Sequence, residues 1–157
     1  MKKVVVSILV GLGCLLIMFG GVIAYIFYNA KTAEQIVATN VAVSSEWFEI
    51  TPDSAMKPKK QVQEVVFVID GYKSDFSDKT FQIKLPDGTI VNPDVQILDE
   101  FGNVYELKHS GFLNNDINYT PKNSLGFLED RNYSKIRIRS DKPFQISKVI
   151  WRNANLK

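Results

Sequence analysis

Apolar and polar positions alternate with a period of two along most of this chain, the spacing of half-buried β-strands. Thr80–Leu85, "TFQIKL", sets Phe81, Ile83 and Leu85 against Thr80, Gln82 and Lys84. Tyr133–Arg139, "YSKIRIR", sets Ile136 and Ile138 against Lys135, Arg137 and Arg139. Val62–Ile69, "VQEVVFVI", is a denser run rich in Val and Phe, as a strand buried on both faces requires. "EWFEI" (46–50), "DVQIL" (94–98), "NVYEL" (103–107) and "FQISKVIW" (144–151) complete the set. "PDG" at 86–88 is a turn signal, "DEFG" at 99–102 predicts a hairpin between "DVQIL" and "NVYEL" with Gly102 able to take positive φ, and "SDKP" at 140–143 predicts a tight turn closing a hairpin. The last strand has a phase problem, because Phe144 and Ile146 oppose Val149 and Trp151 in a regular strand. A β-bulge near Ser147–Lys148 would return all four to one face. The stretch His109–Asn132 reads as a long loop, of a length that is commonly functional or hides a short element.

One segment breaks the pattern. Val4–Tyr28 is 25 residues without a charge, preceded by Lys2 and Lys3. As a helix it spans about 37 Å, enough to cross a bilayer with some tilt. It is too long for the apolar part of a cleaved signal, and "GLGC" ahead of Cys14 puts Gly11 where a lipoprotein signal needs a Leu-like residue. The reading is an uncleaved anchor in contact with the bilayer, residues 1–3 in the cytoplasm and the remainder outside it, periplasmic or at the cell surface if the protein is bacterial. Gly13, Gly20 and Ala24 lie near one helix face and permit a homodimer through the membrane. Residues 29–45 read as a stem and 46–157 as one extracytoplasmic domain.

The expected fold class is therefore all-β: an antiparallel β-sandwich, jelly-roll or Greek-key, behind one transmembrane helix. The stretch "YSKIRIRSDKPFQISKVIWRN", Tyr133–Asn153, resembles the closing strand pair of galactose-binding-domain-like jelly rolls. That resemblance implies recognition of glycans, lipids or proteins through loops at one end. The cysteine pair of discoidin-type members has no counterpart, since Cys14 is the lone cysteine.

Charge narrows the chemistry. Beyond the anchor the chain carries 17 basic and 17 acidic residues, and nucleic acid is not an expected partner. Residues 131–157 hold eight basic and one acidic side chain, residues 29–130 nine and 16. Strands of opposite charge that pair with each other would satisfy both. One His109 and one Cys14 leave no His or thiolate metal cluster, and neither G-x-S-x-G, H-E-x-x-H nor a phosphate-binding glycine loop occurs. His109 and Ser110 are adjacent, so on a strand they face opposite ways and form no nucleophile–base pair. The expectation is a non-enzymatic module without a cofactor. Its candidate ligand-binding residues are Tyr72 and Asp75 in "DGYKSDFSDK", Tyr119 and Arg131 in the long loop, and Arg137 and Arg139 on the basic strand. Asp70, Asp75 and Asp78 are oxygen donors for Ca²⁺, although their spacing fits no EF-hand. Asn118 and Asn132 head N-x-S/T sequons. Two functions follow: a membrane-tethered module that binds a glycan, an envelope polymer or a protein, or a structural accessory subunit of a membrane complex.

Overall fold

The computed structural model describes residues 33–59, 62–74, 82–113, 115–122 and 128–154, together with Gly21. Ten strands form: β1 (Ala33–Val43), β2 (Phe48–Ile50), β3 (Val62–Val68), β4 (Ile83–Lys84), β5 (Ile90–Val91), β6 (Pro93–Asp99), β7 (Val104–Leu113), β8 (Asp116–Pro121), β9 (Tyr133–Ser140) and β10 (Phe144–Ala154). The all-β expectation holds for the described residues. Residues 4–28 fall outside them except for Gly21, and no described helix is long and apolar enough to cross a membrane.

Eight strands make one antiparallel ladder in the order β1-β10-β3-β8-β7-β6-β9-β2, and β4-β5 is a separate hairpin. The pairing is nested from the outside inward. β1 pairs with β10, β2 with β9, β3 with β8, and β6 with β7. Pairing of β7 with β8 joins the halves β1-β10-β3-β8 and β2-β9-β6-β7 into one sheet. The two edges, β1 and β2, are joined by only four residues, Ser44–Trp47. Five peptide links reach roughly 17 Å. The sheet must therefore curl until its edges nearly meet. Ser140 N–H donates to Ser44 O (2.8 Å) at that corner, and Gln35 Nε2 donates to Ser54 O (2.9 Å) farther along the seam.

Period-two alternation sets the core. Ile136 and Ile138 of β9, Val95 and Ile97 of β6, and Val65 and Phe67 of β3 point into one apolar cluster. Phe144, Ile146, Val149 and Trp151 all join it, as the expected bulge requires. The backbone achieves this differently. Thr39 opposes Lys148 and Val41 opposes Ile146, so one residue intervenes on each strand and the register does not slip there. Asn40, the intervening residue of β1, takes φ 53°, a left-handed conformation that Asn tolerates. The slip lies nearby, between Ile36 and Ala38.

Four expectations are corrected. The stem over 29–45 is, from Ala33 to Val43, an edge strand of the sheet, and the compact unit begins at Thr32 rather than at 46. Its small and polar residues mask the alternation, yet Val41 and Val43 are buried. The long loop from His109 contains the rest of β7 and all of β8, where Ile117 and Tyr119 are the inward pair. β9 and β10 are not a hairpin: the three residues between them carry the chain from one half of the sheet to the other. Of "TFQIKL", only Ile83–Lys84 is a described strand, and it pairs with β5 across the "PDG" turn, outside the main sheet.

Because neighbouring strands alternate in direction, the sheet has two ends. β1 enters and β10 leaves at one end, beside the connections after β2 and β6. The β9–β10 corner and the Ser44–Trp47 connection lie at the other.

Candidate functional site

The outward face of β2-β9-β6-β7 gathers polar side chains by register. Arg139 of β9 lies opposite Asp94 of β6, Arg137 lies between Glu49 of β2 and Gln96 of β6, and Gln96 lies opposite Glu106 of β7. Ion pairs follow the ladder. Arg139 Nη2 meets Asp94 at 2.9 Å, Arg137 Nη2 meets Glu49 at 2.6 Å, and Lys135 Nζ shares Glu49 at 2.9 Å. Lys122 Nζ meets Glu106 at 2.7 Å. Hydrogen bonds from Lys135 and then Arg137 hold the Glu49 carboxyl below its ordinary range. The three cations of β9 are thus partly offset by two acids from the first part of the chain, Glu49 and Asp94, each supplied by the strand alongside.

One aromatic ring stands over this face. Trp47, the last residue before β2, places its ring 4.5 Å from the Arg139 guanidinium carbon, a cation–π stack. Arg139 Nε also donates to Asp94 Oδ2 (2.9 Å), which holds the guanidinium in place beside the ring. Beside them is a recess of about 160 Å³, lined by Trp47, Arg139, Asp94, Gln96, Glu106 and Lys122 over Val95 and Leu107. Its exposed lining is almost wholly polar, an amide that both donates and accepts together with carboxylates and cations already paired, while the Trp47 ring is engaged by Arg139. Among the described residues no Ser, Cys or His lines it. Four cations, Lys122, Lys135, Arg137 and Arg139, share three carboxylates, Glu106, Glu49 and Asp94, so most of the charge on this face is paired.

The other sequence candidates lie elsewhere. Tyr72 and Tyr119 are buried in the core, and burial lifts the Tyr72 phenol to about 12 and raises Tyr119 as well. Neither presents a face to a surface ligand. The Tyr119 ring packs 4.9 Å from Phe67 and 5.7 Å from His109. Asp75 and Asp78 fall outside the described residues, so the Asp70–Asp78 cation site does too. Arg131 belongs to the cap of the β6–β7 hairpin, donating to Asp99 Oδ2 (3.0 Å) and Tyr105 Oη (3.3 Å) and pairing with Glu129. Only Arg137 and Arg139 come together. The sequon at Asn118 is closed: that residue is buried, and its Oδ1 accepts from Arg152 Nη1 at 3.5 Å. Ser110 Oγ donates to Asn118 O (3.1 Å).

Trp47 is the residue of this face that sequence reasoning did not single out. In "EWFEI" it counts as a strand aromatic, and only the register of β9 against β6 shows what it stacks on. Comparison of the chain with family models, with curated proteins and with solved structures finds no match.

Proposed function

We propose that the protein is a single-pass, membrane-tethered recognition module, non-enzymatic, that presents its β domain outside the cytoplasm and binds a neutral glycan or envelope polymer at Trp47. The observation that carries this reading is the Trp47–Arg139 stack beside a polar face on which the charges are paired. A planar aromatic ring flanked by fixed amide and carboxylate groups is what a sugar ring needs, an apolar face to lie on and in-plane partners for its hydroxyls. The nested strand order supports winding as a jelly roll, a double-sheet architecture that leaves loops and one face free for ligands. A galactose-binding-domain-like relationship belongs to the same reading. The uncharged run 4–28 supports the tether.

The test uses the full chain in nanodiscs, probed against a panel of neutral oligosaccharides at millimolar concentration. Binding that disappears in Trp47→Ala, with an unchanged unfolding midpoint, supports the groove. No binding to any member of the panel overturns the glycan reading. Exchange of residues 4–28 for an unrelated apolar helix separates a simple tether from an accessory subunit, since only the second loses function.

A further inference from the structure

The end of the sheet where β1 begins carries a second surface, distinct from the Trp47 groove. The β6–β7 hairpin closes there, and its tip holds Phe101, 77% exposed, with Val104, 47% exposed, three residues on. Isolated exposed apolar side chains are ordinary on protein surfaces. This one is held out rigidly. The buried Asp99 carboxylate accepts from Phe101 N–H (2.9 Å), Asn103 N–H (2.9 Å), Asn103 Nδ2 (2.8 Å), Tyr105 Oη (3.1 Å) and Arg131 Nη1 (3.0 Å). Gly102 takes φ 85°, which a side chain would strain. The tip cannot fold back to cover Phe101 without breaking that network.

Its place in the fold gives the exposure a direction. β6 runs toward the end from which β1 starts, because β6, β9 and β2 alternate and Met56, past the end of β2, bridges to Tyr133. Four residues, 29–32, separate the uncharged run from Ala33, and five links of chain reach roughly 17 Å at most. Beside the first residues of β1 lies a recess of about 410 Å³ whose lining includes Gln35, Lys57, Lys59 and Asn132. Lys57 and Lys59 make no ion pair among the described residues. Nearby carboxylates are already engaged: Glu34 pairs with Arg152, Glu129 pairs with Arg131, and Glu100 accepts from Asn132 Nδ2. Glu100 keeps its charge beside a neutral amide, Arg131 is shared by Asp99 and Glu129, and Asp53 and Asp130 make no described ion pair, so the end is not basic overall and its exposed apolar feature is Phe101.

We propose that this end is a bilayer-contact face, on which Phe101 and Val104 seat at the headgroup–acyl boundary while Lys57 and Lys59 meet lipid phosphates. The proposal rests on the anchor reading above.

The experiment uses the full chain with Cys14→Ser, reconstituted in phosphatidylcholine–phosphatidylglycerol liposomes. An environment-sensitive NBD probe is attached at F101C, or at V104C should that variant not fold, and at K142C on the opposite end as control. The expected result is a blue-shifted probe at 101, quenched by doxyl-labelled lipid, with the probe at 142 unquenched. In a Lys57→Ala/Lys59→Ala chain the docked population should fall roughly fivefold or more, since each lysine at an anionic surface contributes about that factor. A water-like probe at 101 in chains that resist carbonate extraction overturns the contact and leaves the anchor standing. Quenching at 101 in chains that carbonate removes keeps the contact and overturns the anchor, and loss of both overturns both. A blue-shifted probe that doxyl lipid does not quench assigns the tip to a protein surface instead and overturns the lipid proposal.

Discussion

Arg152 and Arg139 sit on the outward faces of the two halves of one sheet, each among carboxylates from neighbouring strands, and they differ in almost everything else. The Arg152 side chain is 8% exposed and meets Glu34 of β1 (2.8 Å), Glu64 of β3 (3.5 Å) and Asp116 of β8 (3.3 Å). Burial alone would lower its pKa, but hydrogen bonding to Glu34 and the surrounding carboxylates raise it. Arg139 is 46% exposed, meets Asp94 alone among the carboxylates, and leaves one side to Trp47. The first guanidinium is saturated by protein and ties four strands together. The second keeps open surface beside it. The same residue type therefore serves cohesion on one half and stays partly open on the other, and burial decides which.

The sharpest way to break that comparison is Arg152→Ala. It leaves Glu64 and Asp116, both largely buried, without their shared cation. Loss of a buried partner costs about 3–5 kcal/mol, read as a fall in the urea midpoint, and a loss under about 1 kcal/mol would place Arg152 in the same class as an exposed pair. Acidification is the next test, directed at the hairpin cap. Burial by itself would raise the Asp99 carboxyl, but hydrogen bonds from Asn103, Arg131 and the Phe101 N–H outweigh it and hold the group well below the usual carboxylate range. Its contribution is present above the unfolded value of about 4 and declines as pH falls below it toward the depressed folded value. Thermal midpoints should drop below about pH 4 in the native chain. Asp99→Asn should already be destabilised at neutral pH and show a weaker acid dependence, and parallel acid profiles for the two chains would remove Asp99 from the account.

Smaller effects are expected on the other half. Arg139→Ala should cost no more than about 1 kcal/mol of stability, while saccharide binding at Trp47 weakens because the ring loses its stacking partner. A large stability loss with unchanged binding would reverse the assignment of roles. Lys135→Ala should be the mildest, within about 0.5 kcal/mol, since Glu49 keeps Arg137. Measured by equilibrium denaturation, a greater loss would mean that the outer charge row contributes cooperatively.

The strand faces were legible because they depend on local period. "YSKIRIR" placed Ile136 and Ile138 inward and Lys135, Arg137 and Arg139 outward, and opposite charge on adjacent strands was the expected relief for that row. The need for a phase change near Ser147 was legible too, from four apolar residues that a regular strand would split. β1 was not legible. "AEQIVATNVAV" has strand character only once Ala38 and Val41 pair with Val149 and Ile146. β8 hid behind the polar "NND" turn and Pro121. Tyr72 and Tyr119 looked like loop aromatics suited to a ligand, and whether such a ring faces water or core depends on which strands lie beneath it.

The sequence by itself determined the all-β character, the inward and outward faces of the main strands, and an uncharged run long enough to span a bilayer, because period, turn chemistry and run length are properties of neighbouring residues. Beyond the β6–β7 hairpin, which "DEFG" predicts, tertiary structure decided which strands pair. It sent β9 and β10 to opposite halves despite the tight turn between them, closed Asn118 against Arg152, and set Glu34 on a residue near the far end of the chain. The physical reason is that curling the sheet buries one apolar face whatever the local pattern prefers at its edges. The positions of Arg152, Asp99 and Trp47 are consequences of that closure.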